Sequence, residues 1–202
     1  MKNKAPARKI VFVHGIGTNG DDDIFRMIDY MEGQAEENMD DEPPNLHEFK
    51  YGPISARKAR DEEFLQETAL RLIKEAGHGC HLICHSHAAN VAYKAMELGL
   101  KAKTVILFAP AIEVYRAVPK KGCEAMYVIH NPRDRAILAG IFMVWHRFGA
   151  MGRDGYQGPP DSRIVNIEAE PMATPGIFKH SGWFTEPDLG EWVQRIQGWL
   201  KK

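Results

Sequence analysis

Apolar residues along this chain alternate between two kinds of pattern. Runs rich in β-branched and aromatic residues, bounded by turn residues, occur at Lys9–Val13, His81–Cys84, Thr104–Phe108, Glu124–His130 and Ile164–Ile167. Such continuous runs are those of strands buried on both faces. Glu48–Tyr51 reads as a further short strand. Between the runs the apolar spacing becomes helical. Ile24, Met27, Ile28 and Met31 recur within Asp21–Met31, and Phe64, Leu65, Ala69, Leu72, Ile73 and Ala76 line one face of 57–76, which Gly77 suits as a stop. A helix is expected over Ala88–Leu98 and an amphipathic one at the end, with Leu189, Trp192, Val193, Ile196 and Trp199 inward. Thr185 and Asp188 resemble a capping box, with Pro187 in the first turn. The acidic stretch Glu32–Asn45, containing Pro43-Pro44, is expected to be loop. Strands alternating with helices predict an α/β protein, a three-layer α/β/α sandwich around a mostly parallel sheet.

Length and composition narrow this reading. The 202 residues suit one domain over 1–202, and 44% hydrophobic with 26% charged residues suits a globular protein with a core. A net charge of −1 gives no electrostatic reason to expect a nucleic-acid or anionic-membrane partner. Cys80, Cys84 and Cys123 are an odd count, so a complete disulfide framework is not expected and reduced thiols are. The N-terminus is basic, but the apolar run Ile10–Val13 is too short for a signal h-region. Ala136–Trp145 is too short to span a bilayer. Together these features predict a cytoplasmic protein without a transmembrane segment; the oligomeric state is not legible.

The chemistry concentrates at strand ends. His81-Leu82-Ile83-Cys84-His85-Ser86-His87-Ala88-Ala89-Asn90 runs from strand through a turn centred on Ser86 into a helix. A serine nucleophile on a parallel sheet needs that sharp turn, with small residues two before and two after it, to lift Oγ above the strand ends. The helix after the turn points N–H groups at the site where an oxyanion would form. Cys84 and Ala88 stand where the usual pattern has glycines.

One strand-helix-strand unit earlier, Val11-Phe12-Val13-His14-Gly15-Ile16-Gly17 is a buried strand opening into a glycine-rich loop. The stretch resembles the His-Gly oxyanion loop of α/β-hydrolases, particularly small, nearly lidless bacterial lipases and esterases. By position, the resemblance implies the N–H groups of Ile16 and His87 as the oxyanion hole. It also implies the order serine, acid, histidine for a catalytic triad. Asp134 comes after the strand ending at His130, and His180 lies in a loop shortly before the last helix. Ser86, Asp134 and His180 are therefore the expected triad, with Asp154 and Asp161 as substitute acids and His130 as substitute base. The implied activity is hydrolysis of carboxylic esters or lipids through an acyl-enzyme, without metal or organic cofactor.

Other readings of the same residues remain open. A binding protein on this fold would need no triad. Cys80, His81, Cys84, His85 and His87 have the side-chain types of a zinc site, yet strand alternation turns the two cysteines away from His81 and His85. Ala136–Trp145 is expected to be a core helix, or else the wall of a cap or rim around 135–160 that includes Gly152–Pro160.

Overall fold

A computed structural model describes residues 9–16, 23–37, 44–142, 148–172 and 180–201. Among these residues six strands form one sheet: β1 (Ile10–Val13), β2 (Leu46–Phe49), β3 (His81–His85), β4 (Ala102–Phe108), β5 (Cys123–His130) and β6 (Ile164–Glu168). All pair in parallel, in the order β2-β1-β3-β4-β5-β6. The central strands β1 and β3 are buried along their whole length, whereas the edge strand β6 is half-buried or exposed. That contrast is what continuous apolar runs in β1 and β3, against the more polar Ile164-Val165-Asn166-Ile167-Glu168, require.

Alternation divides the strand side chains between two cores. Val11, Val13, Leu82, Cys84, Val105, Leu107, Met126 and Val128 pack on one face, against helices α2 (Glu62–Ala76) and α3 (Ala88–Glu97). Ile10, Phe12, Ile83, Ile106, Phe108 and Ile129 pack on the other, against α1 (Arg26–Glu37) and α6 (Asp188–Leu200). Two short helices, α4 (Arg135–Phe142) and α5 (Met151–Asp154), lie between β5 and β6 in sequence. The layers are thus helix, parallel sheet, helix, as the pattern predicts.

Several boundaries differ from the expectations. A 3-10 turn (Asp23–Phe25) leads into α1, which runs on to Glu37, because Asp29, Glu32 and Glu36 simply lie on the solvated side of the helix. The second helix starts only at Glu62. Asp61 caps it by accepting the Phe64 N–H at 2.9 Å, and Gly77, at φ 74, closes it. The capping box at α6 does not form. Thr185 donates its hydroxyl to the Gly182 carbonyl at 3.1 Å, and the Asp188 carboxylate accepts the Met172 N–H at 2.7 Å instead. Among the described residues of the Ala136–Trp145 segment, Ile137 is buried and Ala139 is exposed, so α4 is not enclosed on all sides. Expectations involving Gly17, Asp21, Pro43 and Met143–Trp145 lie outside the described residues. No helix among the described residues is long and apolar enough to cross a membrane.

The strand order reverses direction at β1: the chain passes from β1 to β2 on one side, then returns to β3 on the other. The carboxyl ends of β1 and β3 are therefore the switch point of the sheet, the place where open α/β sheets bind their ligands.

Candidate active site

Ser86 is the first residue after β3 and has φ 55, a left-handed conformation rare for a side-chain-bearing residue. Holding it there costs about 1–2 kcal/mol, offset by its surroundings. Its N–H donates to the Phe108 carbonyl at 2.9 Å, and its carbonyl accepts N–H groups from Ala89 at 3.2 Å and Ala111 at 3.1 Å. Strand β4, the start of α3 and the loop after β4 thus brace one turn. Cys84 lies outside the left-handed region and is buried in the core on the α3 face beside Ala88. The strained residue is the serine itself, which explains how cysteine replaces glycine at this position.

The loop after β1 comes against this turn. A methyl group built on Gly15 would stand 3.2 Å from Cβ of Ser86 and 3.5 Å from Nδ1 of His85, so the approach depends on glycine. Ile16, the next residue, is half-buried, and His87 directly precedes α3.

Asp134 lies four residues past β5, with its side chain fully buried. One carboxylate oxygen accepts the Ile137 N–H at 3.0 Å, and the other is 2.7 Å from Nδ1 of His180. Burial pushes the Asp134 carboxyl up, but the hydrogen bond and charge of His180, with the Ile137 N–H, outweigh it and hold it below its ordinary value. An ionised carboxylate only accepts, so Nδ1 of neutral His180 carries the proton and Nε2 carries the lone pair. The residues just after His180 anchor it. A 3-10 turn, Gly182–Phe184, buries Trp183 and Phe184, and the Phe184 ring packs 5.1 Å from those of His85 and Phe108. His85, the residue before Ser86, donates from Nε2 to the His180 carbonyl at 3.1 Å, and the two rings are 4.8 Å apart. The structure therefore brings Ser86, Asp134, His180 and the Gly15–Ile16 loop to one end of the sheet.

Tyr51, just past β2, joins this group, and nothing in the local sequence marks it. Its hydroxyl is 2.6 Å from the His14 carbonyl, 3.3 Å from the Gly15 carbonyl and 3.4 Å from Nδ1 of His87. Its ring stacks on that of His14 at 4.1 Å. His87 in turn donates from Nε2 to the Ala59 carbonyl at 2.7 Å. Burial, opposed in part by that bond, lowers the His87 imidazole to about 4, so it is neutral at pH 7.

His87 also lines a cleft of about 390 Å³ that runs from the start of α3 past Ala59, Leu65, Ile112 and Phe148. Arg60, Glu62, Glu113 and Arg116 ring it with charge. The substitute candidates sit apart from this arrangement. Asp161 is bound to Arg163 at 2.5 Å, Asp154 lies 3.9 Å from the Arg153 guanidinium, and Nδ1 of His130 donates to the Arg153 carbonyl at 3.2 Å. Cys80 and Cys84 share one face of β3 with Leu82, while alternation puts His81 and His85 on the face of Ile83. No group of metal-ligating side chains converges among the described residues.

No family model matches the chain, and no curated protein matches its sequence. Solved structures match its fold. The match to the ydeN gene product of B. subtilis covers 97% of this chain and 100% of that one, with a TM-score of 0.55 at 11% identity. A Xanthomonas campestris protein named as a hydrolase of the α/β superfamily is matched over 95% of this chain and 99% of that one, with a TM-score of 0.51 at 14% identity. A cutinase-like protein from Cryptococcus sp. is matched over 98% and 96%, with a TM-score of 0.52 at 13% identity. Six parallel strands in this order, clad by helices on both faces and superposable nearly end to end on such neighbours, give the chain the α/β-hydrolase fold.

Proposed function

We propose that the protein is a serine hydrolase that cleaves carboxylic esters, with Ser86 as nucleophile, His180 as base and Asp134 as the acid that orients it. The observation that carries this reading is the 2.7 Å bond from Asp134 to Nδ1 of a histidine whose neighbour in space, His85, directly precedes a serine at φ 55. Nε2 of His180 takes the Ser86 proton as Oγ attacks the acyl carbonyl. The tetrahedral oxyanion is received by the N–H groups of Ile16 and His87. His180 then gives its proton to the leaving alkoxide, and a water activated by the same histidine releases the acid. Asp134 keeps the imidazole in the tautomer with its lone pair on Nε2 and stabilises the imidazolium.

The cutinase-like neighbour favours an ester as substrate. The charged rim of the cleft beside His87 favours a compact acyl or alcohol group, since a long alkyl chain laid across Arg60, Glu62, Glu113 and Arg116 would strip water from charges without pairing them.

Intact-mass labelling with a fluorophosphonate probe tests the reading. One adduct on the parent protein, lost in Ser86→Ala and greatly slowed in His180→Ala, is the expected result. A folded parent that takes up no probe would remove the hydrolase reading in favour of a binding protein on the same fold.

A further inference from the structure

We infer that Tyr51, together with the His14 ring stacked on it, is a positioning clamp that holds both oxyanion donors in register. The inference rests on the reading of Ile16 and His87 N–H as those donors.

The backbone N–H of Tyr51 donates to Nε2 of His14 at 3.1 Å, so Nε2 is an acceptor and the proton is on Nδ1. That Nδ1–H donates to the Gly15 carbonyl at 2.7 Å. The Tyr51 hydroxyl approaches the same carbonyl at 3.3 Å while donating to the His14 carbonyl at 2.6 Å. The Gly15 carbonyl and the Ile16 N–H belong to one planar trans peptide and point in opposite directions. The Nδ1–H of His14 therefore fixes the direction of the Ile16 N–H, and the phenol, by donating to the His14 carbonyl, holds the segment that bears that ring.

The second donor is reached through the same phenol. His87 donates from Nε2 to the Ala59 carbonyl, and because the one phenol proton is on the His14 carbonyl, Tyr51 meets the His87 ring by edge-to-face packing, with ring centroids 6.3 Å apart. His87 begins the first turn of α3, so a fixed ring limits rocking of the peptide that bears its N–H. Tyr51 is buried, 37 residues from His14 and 36 from His87 in sequence, and it comes from a third strand end. It spans the loop after β1 and the turn after β3, the two segments that must keep a constant separation if two N–H groups are to meet one oxygen.

Tyr51→Phe removes the hydroxyl and keeps the ring that stacks on His14. The measurements are kcat and KM on a soluble acetate ester, inhibition by a trifluoromethyl ketone, which binds as an oxyanion adduct, and the melting temperature. A clamp predicts a kcat lower by roughly 10- to 50-fold, KM within about twofold of the parent, and ketone inhibition weakened in proportion to kcat. A folded Tyr51→Phe protein with parental kcat and ketone affinity would overturn it, as would a rise in KM alone.

Should Tyr51→Phe not fold, His14→Gln and His14→Asn take its place. Glutamine retains an acceptor near the Nε2 position but gives up the donor to the Gly15 carbonyl, whereas asparagine retains a donor near the Nδ1 position. The clamp requires kcat to fall in His14→Gln and to be restored in part in His14→Asn; equal values in the two overturn it. A parent that neither takes up fluorophosphonate nor hydrolyses esters would instead bring down the hydrolase reading, and the clamp with it.

Discussion

Gly15 and Ser86 approach so closely that a single methyl group on the glycine would stand 3.2 Å from Cβ of the serine. The contact joins the loop after β1 to the turn after β3, and backbone lies on both sides of it. Gly15→Ala should therefore shift the Ile16 N–H rather than unfold the protein. A displaced oxyanion donor weakens stabilisation by up to about 3 kcal/mol. The expected result is a kcat on a soluble ester lower by roughly 10- to 100-fold, with a melting temperature close to the parent's. Parental kcat would mean that the loop does not serve the reacting carbonyl.

Asp134→Asn leaves an amide oxygen able to accept the Ile137 N–H, so the turn into α4 should survive. The amide no longer demands a proton on Nδ1 of His180, and the tautomer with the lone pair on Nε2 is lost. A fall in kcat of about 10³- to 10⁴-fold is expected, read against an unchanged circular dichroism spectrum. A fall of less than tenfold would point to another acid.

Stability should depend on pH through His87. Its folded value of about 4 lies below the ordinary 6.5, so between these values the unfolded chain binds a proton that the folded chain refuses. The stabilisation is complete above pH 6.5, declines as pH falls towards 4, and is gone below that, a loss of up to about 3 kcal/mol. Asp134, with its carboxyl held below 3.8, adds a separate loss at still lower pH. Urea midpoints at pH 7 and pH 5 check this. His87→Gln, whose amide can still donate to the Ala59 carbonyl, should show a clearly smaller drop between the two.

The thiols should be inert in the native state. Cys80, Cys84 and Cys123 are buried, and burial raises each thiol, Cys80 and Cys123 to about 11. Iodoacetamide at pH 8 should label none within an hour and all three after unfolding, by mass spectrometry. Rapid native labelling of one would show that its strand opens.

A chain-length series tests the cleft. Turnover of acetate and butyrate esters should exceed that of palmitate at least tenfold, without a jump in rate when the substrate forms an emulsion. Preference for palmitate would mean that the charged rim moves aside.

Much of this was legible from the chain because it depends on local periodicity. Apolar runs such as Val11-Phe12-Val13 and Val105-Ile106-Leu107 have no stable place except the middle of a parallel sheet, and the spacing of Leu189, Trp192, Val193 and Ile196 allows only one buried helix face. Ser86, Asp134 and His180 could be nominated because strand ends and chain order restrict where such residues are useful. Three features were not legible, each because it depends on distant partners. The Asp188 carboxylate is taken by the Met172 N–H, 16 residues earlier, which no capping rule anticipates. That the strained backbone falls on Ser86 rather than on Cys84 is set by the bonds of Ser86 to Phe108 and Ala111, on β4 and the loop after it. Tyr51 reads only as the end of a short strand and lies two residues past β2, and its three oxygen and nitrogen neighbours come from segments more than thirty residues away.

The turns at the opposite edge of the sheet have a practical use. Gly77, Gly79 and Gly99 sit at positive φ ahead of β3 and β4, with open space where a side chain would stand, and the Gly79 N–H pairs with the Lys101 carbonyl. The candidate residues all lie past strand carboxyl ends, a full strand length away. A side chain at these glycines would be strained by their positive φ, so the exposed Lys101 beside them is the natural anchorage for a surface tether or a fluorescent reporter, which would leave the candidate site facing freely into solution.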